Sequence, residues 1–259
     1  MSRRRACLPH QGGLFIRMNT DPLNMAFIAS KLASLHNIPV IDDPGSIQVC
    51  ADQVNMNYHL LNHDVRIPRT AFLRRRELDG CVPSHIFEEW GAPLILKEPS
   101  TSFSARVAKV ATVDEFNGVA RRFLRFSDRL VVQEFIRSRF DWRIGVLGGE
   151  LLYACKYHIP LGTSKIQDEV DGHRIYCRTE GVEADDIPAP VLREAFKAAQ
   201  AIGNGLYGVD LKETAEGVFV IEVNDRPSLE SGEDSYYPDI YDRIVSFLMG
   251  GKGRALLCG

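Results

Sequence analysis

The chain has 259 residues, 45% hydrophobic and 25% charged, enough for one large or two small packed domains. Its net charge of −3 gives no whole-chain reason to expect nucleic acid, since no basic excess is available to neutralise phosphates. The six cysteines (Cys7, Cys50, Cys81, Cys155, Cys177, Cys258) are scattered without a CxxC pair, which argues against structural zinc and against a disulfide framework.

The opening MSRRRACLPHQGG is basic but lacks the apolar core of a signal peptide, so residues 1–13 read as a loose tail. No apolar run approaches the ~20 residues of a membrane span. A cytoplasmic location with reduced thiols and no membrane partner is therefore expected. Leu14–Ile16 reads as a strand and Leu23–His36 as an amphipathic helix burying Met25, Ile28, Leu32 and Leu35. Ile38–Ile41 follows as a second strand. The turn Asp42–Ser46 opens a helix expected to run to about Asn62. Strands recur at Thr70–Leu73, Leu94–Lys97, Val107–Val110 and Leu130–Val132, with a helix over Val113–Leu124. Arg143–Leu147 and Leu151–Tyr157 flank Gly148-Gly149, a hairpin signal. The stretch Gln167–Ile187 reads as loop with a short strand at Arg174–Cys177. A helix over Val191–Ile202, a hairpin of Tyr207–Lys212 with Val218–Val223, and a helix over Tyr241–Leu248 complete the chain. Strands, hairpins and helices in this mixture predict an α+β fold.

The last hairpin carries the first candidate site. With a tip near Glu216, Asp210 falls across from Glu222, and alternation puts Glu222 and Asn224 on one strand face. Paired carboxylates on a strand repel unless a cation sits between them, and magnesium prefers such hard oxygen ligands. Read alone, the hairpin is equally an amphipathic pair with a polar outer face. Lys97 ends a buried strand, well placed to meet a phosphate as a point charge. The hydroxyl-rich loop behind it, with Ser102 and Ser104, could cover phosphates or be an ordinary polar hairpin loop. The segment Gln133-Glu134-Phe135-Ile136 crosses from one half of the chain to the other and could offer its backbone to an adenine edge. Arg143 and Lys156 would be cations near a transferring phosphate if their strands floor the site; surface ion pairing is the alternative. No GxxxxGK[ST], HRD or DFG pattern is present.

The running order PLILKEPSTSFSARV, VVQEFI, FDWRIGVLGGELLYACKY, GLYGVDLKE and VIEVNDRP resembles the RimK-like branch of the ATP-grasp carboxylate–amine ligases, over roughly residues 14–250. That resemblance implies two α+β lobes clasping ATP. It implies a partial pre-ATP-grasp segment at 14–45, lobes at 46–134 and 135–250, and a tail at 251–259. By motif it makes Lys97, Ser102 and Ser104 phosphate-binding, Glu134, Phe135 and Ile136 adenine-binding, and Asp141 ribose-proximal. Asp210, Glu222 and Asn224 become ligands for magnesium, two ions with manganese able to substitute. Arg143 and Lys156 then serve the acyl phosphate. Arg226 becomes a substrate-carboxylate clamp, with tethering of its loop as the alternative. The implied reaction is ATP-dependent amide formation between a carboxylate and an amine, taken from an amino acid, a peptide or a protein tail. A same-fold phosphotransferase and a non-catalytic ATP-binding module are the rivals. The sequence departs from the family pattern at Gln53, where a lysine is usual, in the STSFSAR loop, usually glycine-rich, and in its short front segment.

Overall fold

The computed structural model describes residues 12–78, 81–100, 106–158, 167–170, 173–176, 178–229 and 236–250. Two short parallel strands, β1 (Leu14–Phe15) and β2 (Val40–Ile41), are joined by helix α1 (Met25–Leu35). Asn24 caps α1 by accepting from the Ala26 and Phe27 amides. The expected burial of this helix is reversed: Met25, Ile28, Leu32 and Leu35 are all exposed, while Ala26, Ser30 and Ala33 are buried. Small side chains let the α1 backbone approach its neighbours closely, and Ser30 Oγ donates to the buried Asp42 carbonyl at 2.5 Å.

The expected single helix over 46–62 is two, α2 (Pro44–Cys50) and α3 (Gln53–Asn62). Asp52 divides them by leaving helical geometry and accepting from the Asn55 amide as the cap of α3. Next come β3 (Thr70–Arg74), α4 (Val82–Trp90), β4 (Leu94–Lys97), β5 (Val107–Val110), α5 (Val113–Phe123) and β6 (Arg129–Glu134). Their four strands form an antiparallel sheet in the order β3-β6-β4-β5. Helices α4 and α5 cover it through Ile86, Phe116, Ala120 and Phe123. The sequence reading lacked α4, whose Pro83 suits a first helical turn.

The second sheet holds β7 (Asp141–Leu147), β8 (Glu150–His158), β11 (Arg178–Gly181), β12 (Leu206–Thr214) and β13 (Gly217–Asn224), in the order β11-β8-β7-β12-β13. Between β8 and β11, β9 (Gln167–Val170) and β10 (His173–Tyr176) pair as a hairpin where loop and one short strand were expected. One sheet face packs on α6 (Ala189–Ile202) and α3 through Trp142, Ile144, Val209, Leu211 and Met56. At the other face, Tyr153, Cys155 and Leu206 meet Ile41 and helix α7 (Ile240–Leu248). No described helix is long and apolar enough to cross a membrane.

Candidate functional site

Asp210 and Glu222 are direct partners in the β12–β13 ladder, and Gly208 is the partner of Asn224. The pairing depends on a bulge: Leu211 faces Val220, so Ile221 is the extra residue that brings Glu222 opposite Asp210. On the other side of β12, Asp210 pairs with Arg143. Partners across a ladder share a face, so the guanidinium reaches the carboxylate in a two-point contact, Nε to Oδ1 at 2.6 Å and Nη2 to Oδ2 at 2.7 Å. Asn224 Nδ2 also donates to Asp210 Oδ2, at 3.3 Å.

Lys97 closes β4 and is only 7% exposed. Burial pulls its pKa below the ordinary lysine value, while Glu222 and Asp210 act the other way. Burial likewise pushes the Glu222 carboxyl up, opposed by Lys97 and raised further by Asp210. These opposed shifts put Lys97, Glu222 and Asp210 in one electrostatic neighbourhood, at the junction of the two sheets.

Asp141 lies on the Arg143 face of β7. Its Oδ1 accepts from Ser138 Oγ at 2.9 Å and from Lys212 Nζ. Burial raises its pKa, and Lys212 and Ser138 oppose the rise. Lys212 was absent from the sequence reading, although it follows Asp210 by two on the same strand, the spacing that returns a side chain to the same face.

A second group that the sequence did not reveal comes from α3. Gln53 Nε2 donates to Glu222 Oε1 at 3.0 Å, and its own Oε1 is buried with no hydrogen-bond partner. Its backbone N–H donates to the Pro99 carbonyl at 2.9 Å, tying α3 to the segment that follows Lys97. One turn on, Asn57 Oδ1 accepts from Gln133 Nε2 at 3.3 Å. The i, i+4 spacing of Gln53 and Asn57 was the available signal. Thus the residue standing where a lysine is usual touches a candidate metal ligand directly.

Several expected site residues sit elsewhere. Lys156 pairs with Trp142 across β7–β8, so it lies on the sheet face opposite Arg143. There its Nζ stands 5.0 Å from the Trp142 ring centroid and 3.8 Å from Glu180. Strand alternation separates it from the phosphate candidates. The Glu134 side chain is held by Arg69, at 2.9 and 3.1 Å. The ladder ends at Glu134, leaving the backbone of Phe135 and Ile136 outside it, and Lys109 Nζ lies 4.1 Å from the Phe135 ring centroid. Arg226 donates to the Arg17 carbonyl at 3.2 Å, and Arg17 donates to the Pro227 carbonyl at 3.0 Å. This reciprocal stitch is the tether that was the alternative for Arg226. Beside it, burial pushes the Asp225 carboxyl up to about 6. Ser102 and Ser104 lie outside the described residues.

A magnesium ion is compatible with this donor set. Asp210, Glu222 and Asn224 supply carboxylate and amide oxygens, and the charge of each carboxylate is already offset here by Arg143 or Lys97. Among the described residues no cluster of three His, Cys, Asp or Glu side chains forms a closed metal cage. An open site sharing its ion with phosphate oxygens is what two carboxylates and an amide can support.

The family model that matches is an ATP-grasp domain, clade family 3, and it covers residues 80–246. A probable alpha-L-glutamate ligase of Thioalkalivibrio sulfidiphilus is 26% identical over 210 residues, covering 80% of this chain and 66% of the relative. A second, probable alpha-L-glutamate ligase 1 of Shewanella denitrificans, is 25% identical, covering 83% and 70%. The chain thus spans about two thirds of the length of these curated relatives. Among solved structures, the D-alanine-D-alanine ligase of Coxiella burnetii superposes with a TM-score of 0.70 at 18% identity, covering 92% of this chain and 68% of that one. A RimK domain ATP-grasp protein of Sphaerobacter thermophilus gives 0.61 at 21% identity, covering 88% and 76%. The D-alanine-D-alanine ligase of Bacillus anthracis, solved with ATP, gives 0.66 at 17% identity, covering 86% and 74%. The fold is α+β of the ATP-grasp type, and the chain belongs to the ATP-grasp domain family whose model spans its residues 80–246.

Proposed function

We propose that the chain is an ATP- and magnesium-dependent carboxylate–amine ligase acting on an amino-acid or peptide pair. The observation that carries this reading is the meeting of Lys97 from one sheet with Arg143, Asp210 and Glu222 from the other. In this reading the two sheets are the two lobes that clasp ATP, divided at Glu134. Asp210, Glu222 and Asn224 would hold the magnesium, which neutralises phosphate charge when bound. Lys97 and Arg143 neutralise the two carboxylates in this structure, and the same cations are placed to hold phosphate oxygens when nucleotide arrives. Asp141 and Lys212 would border the ribose side. The backbone of Phe135 and Ile136 would meet the adenine edge. A substrate carboxylate oxygen then attacks the γ-phosphorus and ADP leaves. The amine nitrogen attacks the resulting acyl carbon, loses its proton and expels phosphate. Positioning and charge neutralisation are most of what phosphoryl transfer asks of a protein.

The names of the curated relatives make L-glutamate the first carboxylate or amine substrate to try. The test is ADP release over pairs of amino acids and short peptides, with product masses recorded. Amide product formed with ADP is the expected result. ADP with a stable phosphorylated product and no amide would replace the ligase with a phosphotransferase. Glu222→Ala should lower turnover by about 100-fold or more while leaving circular dichroism unchanged. Unchanged ADP release in this variant would remove Glu222 from the site.

A further inference from the structure

Four arginines ring a cavity of about 530 Å³ on the first sheet, away from the site above. Arg74 ends β3, Arg75 and Arg76 lie in the short helical turn after it, and Arg125 follows the C-terminus of α5. Phe126, Ser127 and Asp128 complete the lining. Thr70, at the other end of β3, pairs with Gln133 beside the crossover. Arg74 is four residues further on, about 13 Å at ~3.3 Å per residue. The pocket and the proposed nucleotide site therefore occupy opposite ends of the same strands.

The end of a helix favours cations, and that accounts for part of this charge. Arg121 and Arg122 occupy the last turn of α5, and Arg75 Nη2 donates to the Leu124 carbonyl. Arg74, Arg76 and Arg125 are not explained in this way. Arg74 lies 3.5 Å from Glu77, whose carboxylate is also taken by the Arg74 backbone amide at 2.5 Å. Neither Arg76 nor Arg125 is within ion-pair distance of a carboxylate among the described residues. Asp128 is neutralised by Arg129 at 3.0 Å. The rim therefore carries exposed, largely uncompensated guanidinium groups on a chain whose net charge is −3.

We propose that this pocket docks a short acidic peptide segment, presented by a protein or peptide partner. Guanidinium forks pair with carboxylates in two-point contacts, and the cavity is in the size range of ligand sites, far larger than one carboxylate or phosphate group. A nucleic-acid strand fits less well. The exposed Phe126 ring already has the Arg106 guanidinium 4.1 Å from its centroid, and Asp128 on the rim would repel phosphates.

The test titrates the full chain into fluorescein-labelled hexaglutamate, hexaglutamine and hexauridylate at 50 and 200 mM salt, following anisotropy. Hexaglutamate should bind best and weaken with salt. The triple variant R74Q/R76Q/R125Q should lose about tenfold or more in affinity for it, from three exposed charge contacts. Mg-ATP binding by the same variant should be unchanged, which keeps the outcome separate from the ligase proposal. Equal binding of hexaglutamine, preference for hexauridylate, no binding of hexaglutamate, or undiminished binding by the variant would each overturn the proposal.

Discussion

Lys97 is an ammonium almost without water around it, and Glu222 is a carboxylate that burial makes harder to ionise. Each is kept charged mainly by the other and by their neighbours, an arrangement suited to trading partners for phosphate. Lys97→Ala should weaken ATP binding by about ten- to hundredfold, the loss of one charge-assisted contact, as read by isothermal titration. Unaltered affinity would place the phosphates elsewhere. Glu134 gives a separate prediction about stability. The hydrogen bonds from Arg69 hold its folded pKa below the ordinary 4.5. The unfolded chain therefore binds the proton more readily, and the pair stabilises the fold fully above pH ~4.5 and less as pH falls through the folded value. Arg69 is 46% exposed, so the contribution is small, about 0.2–1 kcal/mol. Glu134→Gln should be less stable than wild type by that amount from pH 7 to 5, and the gap should close in acid. A gap that is constant down to pH 3 in urea titrations would contradict this. At this scale the sequence revealed Asp210 opposite Glu222, because alternation and a visible tip fix register. It did not reveal Gln53 or Asn57, since contacts between a helix and a distant strand leave no spacing signal in either.

Strands and hairpins were legible because each carried its own turn chemistry, as at Gly148-Gly149. Helix α1 shows where periodicity fails: an apolar stripe says that a helix has two faces, and close packing of Ala26, Ser30 and Ala33 decided which was buried. The break at Asp52 was hidden because one capping aspartate looks like any other inside an apolar pattern. Within β7, Gly145 pairs with Gly208 of β12, two glycines on one rung. A Cβ on Gly145 would lie 2.2 Å from the buried Tyr153 ring, and one on Gly208 would lie 2.6 Å from Pro227. Gly145→Ala should therefore cost about 1–3 kcal/mol, read as a lower urea midpoint with the same slope. A neutral result would mean that Tyr153 has room to move.

Across the whole molecule, α3 is the piece that both sheets share. It touches Glu222 through Gln53 and Gln133 through Asn57, and the Val223 amide donates to Met56 Sδ at 3.3 Å. A ligand held at the junction of the sheets should then stabilise the entire chain in one transition. Mg-ATP at about 100 times its Kd should raise Tm by about 5–10 °C, from ~2.7 kcal/mol of binding linkage. Excess EDTA should cancel most of that rise, and a shift unaffected by EDTA would remove the metal from nucleotide binding. The lobes themselves could be read from the order of motifs, whereas their shared helix could not.

The bulge at Ile221 has a consequence in time as well as in space. A regular ladder opens only with its neighbours, but an extra residue in one strand is a weak rung where opening can start locally. Ile221 precedes one candidate ligand by a single position and lies between two well-paired stretches of β13. Its amide should exchange with solvent faster than those around it and slow when the site fills. The irregularity that aligns Glu222 with Asp210 would then also be the place where occupancy can be heard.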